Sequence, residues 1–275
     1  MAARTTSRGL LHAFAGTLAA ALAVVACSSE PKSDAARFDQ PAATVVFGST
    51  TETVEVEVDY AKGAAPSTGI VPGVGADAWG LFATNAKRIF AKTTTNKTLT
   101  IPSTLAEMEA LDITGDSFTE EDILSIADAH RNKRSAGSLA TFYVVWLPGY
   151  FNDGHVVKKD VLGVTIGATG VTAMFKGAID ASSGAVGFQP ALLEQFTLLH
   201  EFGHAVGLVD NGIQPASPHR DTSHGAHCSN PACAMYHANE GIAAAMNFAR
   251  QITVGDQILL GPECLEDLDT FAASR

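Results

Sequence analysis

The segment 200–204 reads His-Glu-Phe-Gly-His and lies inside the longest helix that the sequence predicts, over residues 189–208. Pro190 suits the first turn of such a helix, where its missing N–H has no partner to lose. Residues four apart lie on one helical face, so the imidazoles of His200 and His204 can reach a single metal ion. The fold must therefore keep this helix intact and leave one of its faces open to a site.

Glu201 indicates what such a metal ion would be used for. Zinc accepts imidazole nitrogens readily, and a catalytic zinc site keeps one coordination position for water. A carboxylate next to the first histidine can take a proton from that water while the ion lowers its pKa. Because the five-residue pattern also occurs by chance, its helical context matters. We predict one catalytic zinc ion bound by His200 and His204, with Glu201 as the general base.

The residues after the motif extend the pattern to a third ligand. Gly207 follows His204 by three residues, and Asp210 follows Gly207 by three. A glycine can adopt the left-handed conformation that ends a helix abruptly. The whole arrangement resembles the metzincin zinc peptidases, in which this glycine turns the chain and a third ligand closes the site. Metzincins usually have histidine as this third ligand. An aspartate at the same position resembles the variant found in the small secreted snapalysin-type proteases.

Asp210 is therefore the preferred third zinc ligand, with His219 as the alternative. Six of the nine histidines lie between residues 200 and 237, so ligand type alone cannot decide. The Pro-Ala-Ser-Pro segment before His219 can carry that residue back over the metal. We expect the remaining histidines of this stretch to be solvated or to support the ligands, namely His224, His227 and His237.

Three cysteines follow Cys27, at positions 228, 233 and 264. An odd number allows one disulfide with a thiol left over, or thiolate ligation of a metal. The spacing Cys228-x4-Cys233-x-Met235 resembles the archaemetzincins, whose further cysteines bind a second, structural zinc. No Cys-x-x-Cys pair exists here, so we expect a Cys228–Cys233 disulfide instead.

The resemblance to metzincins also gives roles to two neighbouring residues. Met235 would be the methionine of the tight turn beneath the zinc, although core packing is the ordinary use of a methionine. Tyr236 is a candidate donor to a developing oxyanion, with simple aromatic packing as the alternative. A weaker alternative is a zinc peptidase with a glutamate ligand, for which Glu240 is the candidate.

The N-terminal residues predict export. Arg4 and Arg8 precede seventeen uncharged, mostly apolar residues, Leu10 to Ala26, which end before Cys27. This resembles a bacterial lipoprotein signal, in which the cysteine becomes the lipidated N-terminus. An ordinary secretory signal or an uncleaved anchor is the alternative. We expect a signal peptide over 1–26, a disordered tether over 27–43, and a location in the cell envelope, on the outer membrane or cell surface.

The rest of the chain, 44–275, predicts one peptidase domain with an N-terminal part over 44–208 and a C-terminal part over 209–275. Residues 53–60 alternate apolar and acidic side chains, as a half-buried strand does. Further strands are predicted over 99–102, 139–147, 161–166 and 171–175, and helices over 77–91, 119–133, 189–208, 241–250 and 262–273. This order predicts an α+β fold of the zincin or metzincin type, a twisted mixed sheet packed on the site helix, with an irregular C-terminal part and a closing helix.

The net charge of the chain and its resemblance to known proteins limit the classes of partner that we expect. The formal net charge is −11 and no basic run occurs, which argues against nucleic acid. Segments such as 146–151 and 161–164 resemble a group of uncharacterised bacterial lipoproteins described as metalloproteases. In metzincins a strand at the lip of the cleft pairs with the bound peptide, and 161–166 and 171–175 are the candidates. We expect a monomer that contacts the membrane only through its lipid.

Two functions remain open at this point. The first is a zinc-dependent endopeptidase that acts on peptides or proteins. The second is a non-catalytic surface lipoprotein that keeps zinc as a structural or stored ion. Glu201 favours the first function, because a purely structural site has no use for a carboxylate beside an open coordination position.

Overall fold

The structure is a computed structural model that describes residues 42–72, 75, 77–93, 96–183, 190–240, 252 and 257–275. The signal segment, Cys27, most of the tether and the helix predicted over 241–250 lie outside these residues. The helices are α1 Ala42–Val46, α2 Gly80–Ile89, α3 Glu120–His130, α4 Lys176–Ser183, α5 Pro190–Val206 and α6 Pro262–Ala273. The strands are β1 Thr53–Ala61, β2 Thr98–Thr100, β3 Glu109–Leu111, β4 Ser117–Phe118, β5 Leu139–Leu147, β6 Tyr150–Asn152, β7 Val157–Lys158, β8 Gly163–Thr165 and β9 Val171–Phe175.

The main sheet is mixed, as predicted, and mostly parallel. Its strand order is β2-β1-β5-β9-β8, and β3 also pairs with β1. β1, β2, β3, β5 and β9 run parallel, whereas β8 is antiparallel to β9 at the edge. A smaller sheet has the order β4-β6-β7. Parallel neighbours need crossover connections, which explains why the helices alternate with these strands.

β5 forms the centre of the core. Every residue of this strand after Leu139 is buried, in agreement with its unbroken run of β-branched and aromatic side chains. Tyr143 and Trp146 are among the largest fully buried side chains. The Tyr143 hydroxyl donates to Asp59 on β1 at 2.8 Å, and burial raises the pKa of that carboxyl to about 6.

The site helix α5 is fixed to this core by one aromatic side chain. The ring of Phe202 lies 4.8 Å from that of Phe142 on β5 and 5.2 Å from that of Phe82 on α2, both edge to face. Aromatic pairs in this geometry stabilise packing beyond the area they bury. Because Phe202 lies between Glu201 and the second histidine of the motif, this packing also orients the opposite, site-facing side of the helix.

Most predicted elements are present. The strand predicted over 139–147 has these bounds, and the strand over 171–175 does as well. The helix predicted from Thr119 begins with a capping box between Thr119 and Asp122. The sequence interpretation missed α1, α4, β3 and β4, which are short. No helix among the described residues is long and apolar enough to cross a membrane.

Candidate metal centre and active site

α5 ends where the sequence predicts it to end. Gly207 has a φ of 99°, and its N–H donates to the carbonyl of His204 at 3.0 Å. Val209 and Asp210 also have positive φ angles, 56° and 65°, so the chain turns sharply within a few residues. The side-chain amide of Asn211 donates to the His204 carbonyl at 2.9 Å, which satisfies one of the last acceptors of the helix. The segment that follows can therefore return across the site face of α5.

Three imidazoles meet on that face. His200 and His204 come from α5, and His227 comes from the returning loop; their ligand atoms lie within 4.8 Å of one another. The two Nε2 atoms of His200 and His204 are 3.2 Å apart. The ring of His227 lies 5.4 Å from that of His200 and 4.8 Å from that of His204. We call His200, His204 and His227 the histidine site.

Hydrogen bonds prepare these rings to act as ligands. Nδ1 of His200 lies 2.7 Å from the carbonyl of Ala234, and Nδ1 of His227 lies 2.5 Å from that of His224. A carbonyl can only accept, so both Nδ1 atoms must donate and both Nε2 atoms keep their lone pairs. Burial, together with the two neighbouring rings, holds the pKa of His204 well below its ordinary value. A neutral imidazole is the form that binds zinc, so these residues fit the predicted ion.

The structure groups a different third residue with His200 and His204. Asp210, the preferred third ligand, points elsewhere: its carboxylate accepts from the side-chain amide of Gln214 at 2.6 Å and pairs with the Arg220 guanidinium. The left-handed turn at residues 209–210 places this side chain on the outer side of the loop rather than toward the two histidines of α5. His227, expected only as a solvated or supporting residue, takes the third place.

The alternative ligand His219 is also absent from the histidine site. Its Nε2 lies 2.6 Å from the carboxylate of Asp267 on α6, and its Nδ1 lies 3.3 Å from Sγ of Cys228. His219 and Cys228 belong to another cluster, described below. One signal in the sequence could have pointed to His227. If Met235 lies beneath α5, the segment just before it must return to this helix, and His227 lies in that segment, directly before Cys228.

Glu201 lies beside the histidine site, at the edge of the main sheet. It lines a cavity of about 370 Å³ together with His204 and His227. Gly163 of β8 permits this position, because a Cβ there would come within 2.9 Å of the Glu201 Cγ. The hydroxyl of Thr165, also on β8, donates to the Glu201 carbonyl at 2.8 Å. The base candidate is thus held between its helix and the edge strand while its cavity stays open.

Met235 lies against the underside of α5. It is fully buried, and a Cβ at Gly203 would come within 2.3 Å of its sulfur, so the glycine of the motif makes room for it. The Cys228 N–H donates to the Met235 carbonyl at 2.7 Å, which ties this turn to the residue after His227. Tyr236 is half-buried and packs on His237 with ring centroids 4.5 Å apart; it is not among the described residues that line the cavity.

A second cluster lies behind this turn. The thiols of Cys228, Cys233 and Cys264 are free and buried. The ligand atoms of His219, Cys228 and Cys264 lie within 4.8 Å of one another, and Cys233 adjoins this group through Cys264. Sγ of Cys233 lies 3.5 Å from Sγ of Cys264 on α6. Hydrogen bonds with the thiols of Cys233 and Cys264 hold the pKa of Cys228 well below its ordinary value. We call these four residues the thiol cluster.

The expected Cys228–Cys233 disulfide is accordingly not formed in the structure. α6 brings Cys264 within 3.5 Å of Cys233 and into one group with Cys228 and His219, so all three cysteines lie together. Backbone N–H groups point at the sulfurs: that of Asn230 at Cys228, 3.4 Å, and that of Gly261 at Cys233, 3.1 Å. Such donors stabilise thiolates, which are the metal-binding form of cysteine.

Comparison with solved structures finds similar chains. No protein-family model and no curated protein matches. The structure is similar to that of a zinc-dependent peptidase from Methanocorpusculum labreanum (strain Z), with a TM-score of 0.42 and 14% sequence identity, covering 78% of this chain and 99% of that one. At this identity and TM-score, the functional argument rests on the residues of the site themselves.

Proposed function

We propose that the protein is a zinc-dependent endopeptidase of the metzincin type. The observation that carries this proposal is the position of Glu201, which lines the same cavity as His204 and His227. A site that only stores or structures a metal would be closed by its ligands, and it would not need a carboxylate at its opening. Three imidazoles leave a fourth position, as catalytic zinc sites do.

The residues divide the reaction between them. His200, His204 and His227 would hold the ion. When bound, zinc supplies a lowered pKa for coordinated water and polarises a carbonyl. Glu201 takes the proton from the attacking water and delivers it to the leaving amine, so the carboxylate returns to its starting state. Thr165 of β8 holds the backbone of Glu201, and Gly163 leaves room for its Cγ, so the side chain enters the cavity from a defined position.

β8 is the candidate strand for binding a peptide substrate. Of the two strands considered, β9 lies between β5 and β8, so both of its edges are paired, whereas β8 is at the sheet edge. Residues 163–165 also line the cavity beside Glu201. An extended peptide can add to such an edge through main-chain hydrogen bonds. Phe151, Val161 and Val164 give the cavity an apolar wall, which favours an apolar side chain next to the cleaved bond.

Export and anchoring complete the proposal. The apolar segment 10–26 and Cys27 support a lipid-anchored protein of the bacterial cell envelope that acts as a monomer on peptides outside the cytoplasm. A single acyl chain binds membranes reversibly, so stable attachment needs more than one chain.

The activity can be tested directly. The purified protein should contain bound zinc and should cleave an unfolded protein at internal bonds. A chelator should remove both zinc and cleavage, and added zinc should restore both, because the ligands must hold the ion for Glu201 to act. Metal analysis and product mapping by mass spectrometry provide the readouts. Zinc-loaded protein that cleaves no unfolded substrate would instead support the storage or structural alternative.

We propose also that the thiol cluster holds a second, structural zinc ion. Three thiols and one imidazole form a donor set that zinc accepts in closed structural sites. The carboxylate of Asp267 is buried and bonded to Nε2 of His219, which leaves Nδ1 of His219 directed at the cluster. Metal-binding histidines are commonly oriented in this way.

Cobalt substitution should reveal this second ion. Cobalt(II) bound by thiolates gives an intense near-ultraviolet charge-transfer band, whereas cobalt bound only by imidazoles does not. Cys264→Ser should weaken the band and lower the bound metal by about one equivalent; Cys27→Ser, outside the cluster, should change neither. Finding a single free thiol among Cys228, Cys233 and Cys264 in the unfolded, unreduced protein would contradict the proposal. It would support the disulfide that the sequence predicted.

A further inference from the structure

A third group of ligand-type side chains lies at the surface, apart from both centres above. Asp221 and His224 come from the returning loop, and His237 begins a short 3₁₀ helix, His237–Glu240, after the methionine turn. Their ligand atoms lie within 4.8 Å of one another. We call Asp221, His224 and His237 the loop site. Neither the zinc peptidase reaction nor the thiol cluster uses any of its side chains.

The distances around the Asp221 carboxylate fit a shared ion. One oxygen, Oδ2, lies 2.7 Å from Nδ1 of His224 and 3.1 Å from Nδ1 of His237. The second contact is close, but Nδ1 of His237 is shielded from solvent and makes no well-aligned hydrogen bond with any described residue. Two ligand atoms that lie close together without hydrogen-bond alignment are typical of ligands around one ion. Atoms bound tetrahedrally to a zinc at about 2.0–2.1 Å lie about 3.3 Å apart. The 3.1 Å contact with His237 is near this spacing, and the hydrogen bond between His224 and Asp221 would lengthen to accept an ion.

The charges of the loop site favour a cation between its members. The rings of His224 and His237 are stacked with centroids 3.7 Å apart and 4° between their planes. Two stacked imidazoles beside one carboxylate offer the nitrogen and oxygen donors that an ion of the zinc class accepts. The backbone N–H of Ser223 donates to the other oxygen of the Asp221 carboxylate at 2.9 Å and so fixes its direction. The half-exposed His224 leaves the site open to solvent.

We infer that the loop site binds a divalent metal ion of the zinc class, exchangeably and more weakly than the buried centres. Two imidazoles and one carboxylate suit zinc, nickel or cobalt. The ion would join the returning loop to the segment after Met235. The loop also carries His227: the Asp221 N–H donates to the His227 carbonyl at 2.7 Å, and the His227 ring donates to the His224 carbonyl. Filling the loop site would therefore stiffen the support of the third catalytic imidazole. This goes beyond the proposed peptidase activity, since it adds an ion that touches neither the cavity nor Glu201.

Zinc titration of the full-chain protein tests the loop site without any activity measurement. Equilibrium dialysis against rising free zinc should show one weak equivalent in addition to the tightly bound metal. His224→Gln and His237→Gln should each weaken that step at least about tenfold, the scale on which loss of even a supporting group lowers metal affinity. His155→Gln, which removes an exposed histidine outside every cluster, should leave all steps unchanged.

The outcomes separate this inference from the proposed function. A weak step lost in the two loop-site variants supports it, even for a protein that cleaves nothing. Absence of the step, or an equal decrease in all three variants, would overturn it, since the second result means binding to exposed histidines in general. The melting temperature gives an independent check, because an ion that binds the folded state raises it. Zinc at the concentration of the weak step should raise the melting temperature of the wild type and His155→Gln, and not that of His224→Gln or His237→Gln.

Discussion

Glu201→Gln should leave the zinc content of the protein unchanged and lower kcat for peptide cleavage by about 10²–10⁴-fold, the usual contribution of a general acid–base group. Glutamine has nearly the same shape, so it can keep the position between α5 and β8, but it cannot take a proton from water. Glu201 is also not a member of the histidine site, so its replacement removes no zinc ligand of that group. Zinc analysis on the same preparation as the kinetic assay shows whether the decrease in kcat comes from lost proton transfer or from lost zinc.

A matched control makes this result specific. Glu121→Gln removes an exposed carboxylate on α3, changes the net charge equally, and should leave kcat unchanged. Cleavage at the wild-type rate by Glu201→Gln would end its assignment as the base. Loss of zinc in Glu201→Gln, with Glu121→Gln still loaded, would mean that the carboxylate helps to hold the metal.

Gly163 explains why the position of Glu201 is so constrained. Any side chain there would meet the Glu201 Cγ as well as the sulfur of Met174. The edge strand that would bind a peptide is thus also the strand that sets the position of the base. In the proposed reaction, substrate binding and proton transfer would share this one strand, so a small displacement of the strand would reduce the rate strongly.

The regular elements were predictable because their signals are local. β5 is a continuous apolar strand with both faces buried, and α3 begins with a capping box, so the bounds of each follow from neighbours in sequence. The end of α5 was predictable for the same reason, since Gly207 can adopt the positive φ that stops the helix. His200, His204 and Glu201 were predictable because one turn of this helix sets their spacing.

The grouping of His227 with the two helical histidines and the arrangement of the cysteines could not be predicted in this way. The returning loop has no apolar period, and its path is decided by contacts distant in sequence, such as those of His219 with Asp267 and of His200 with the Ala234 carbonyl. Cys264 reaches the other thiols only because α6 packs there. Spacing along the chain made Cys228–Cys233 the natural pair, whereas the thiol cluster depends on an element more than thirty residues away.

His227→Gln and Asp210→Asn form a pair that tests this correction. His227→Gln should lower the affinity of the catalytic zinc by at least about 10–100-fold, since removal of a ligand costs no less than removal of its support, and cleavage should fall with it. Asp210→Asn should keep the zinc, because Asp210 contacts Gln214 and Arg220 and not the three imidazoles. Its ion pair is partly exposed, and such pairs contribute little to stability.

Competition with chelators of graded strength measures both affinities on the same scale. The thiol cluster must stay loaded in both variants, which the cobalt charge-transfer band reports, so that any loss belongs to the histidine site alone. Retention of catalytic zinc by His227→Gln together with its loss from Asp210→Asn would return the third position to Asp210. The expected pattern, loss only in His227→Gln, would mean that the chain closes its zinc site with a histidine, as metzincins usually do, but from twenty residues beyond Gly207 rather than three.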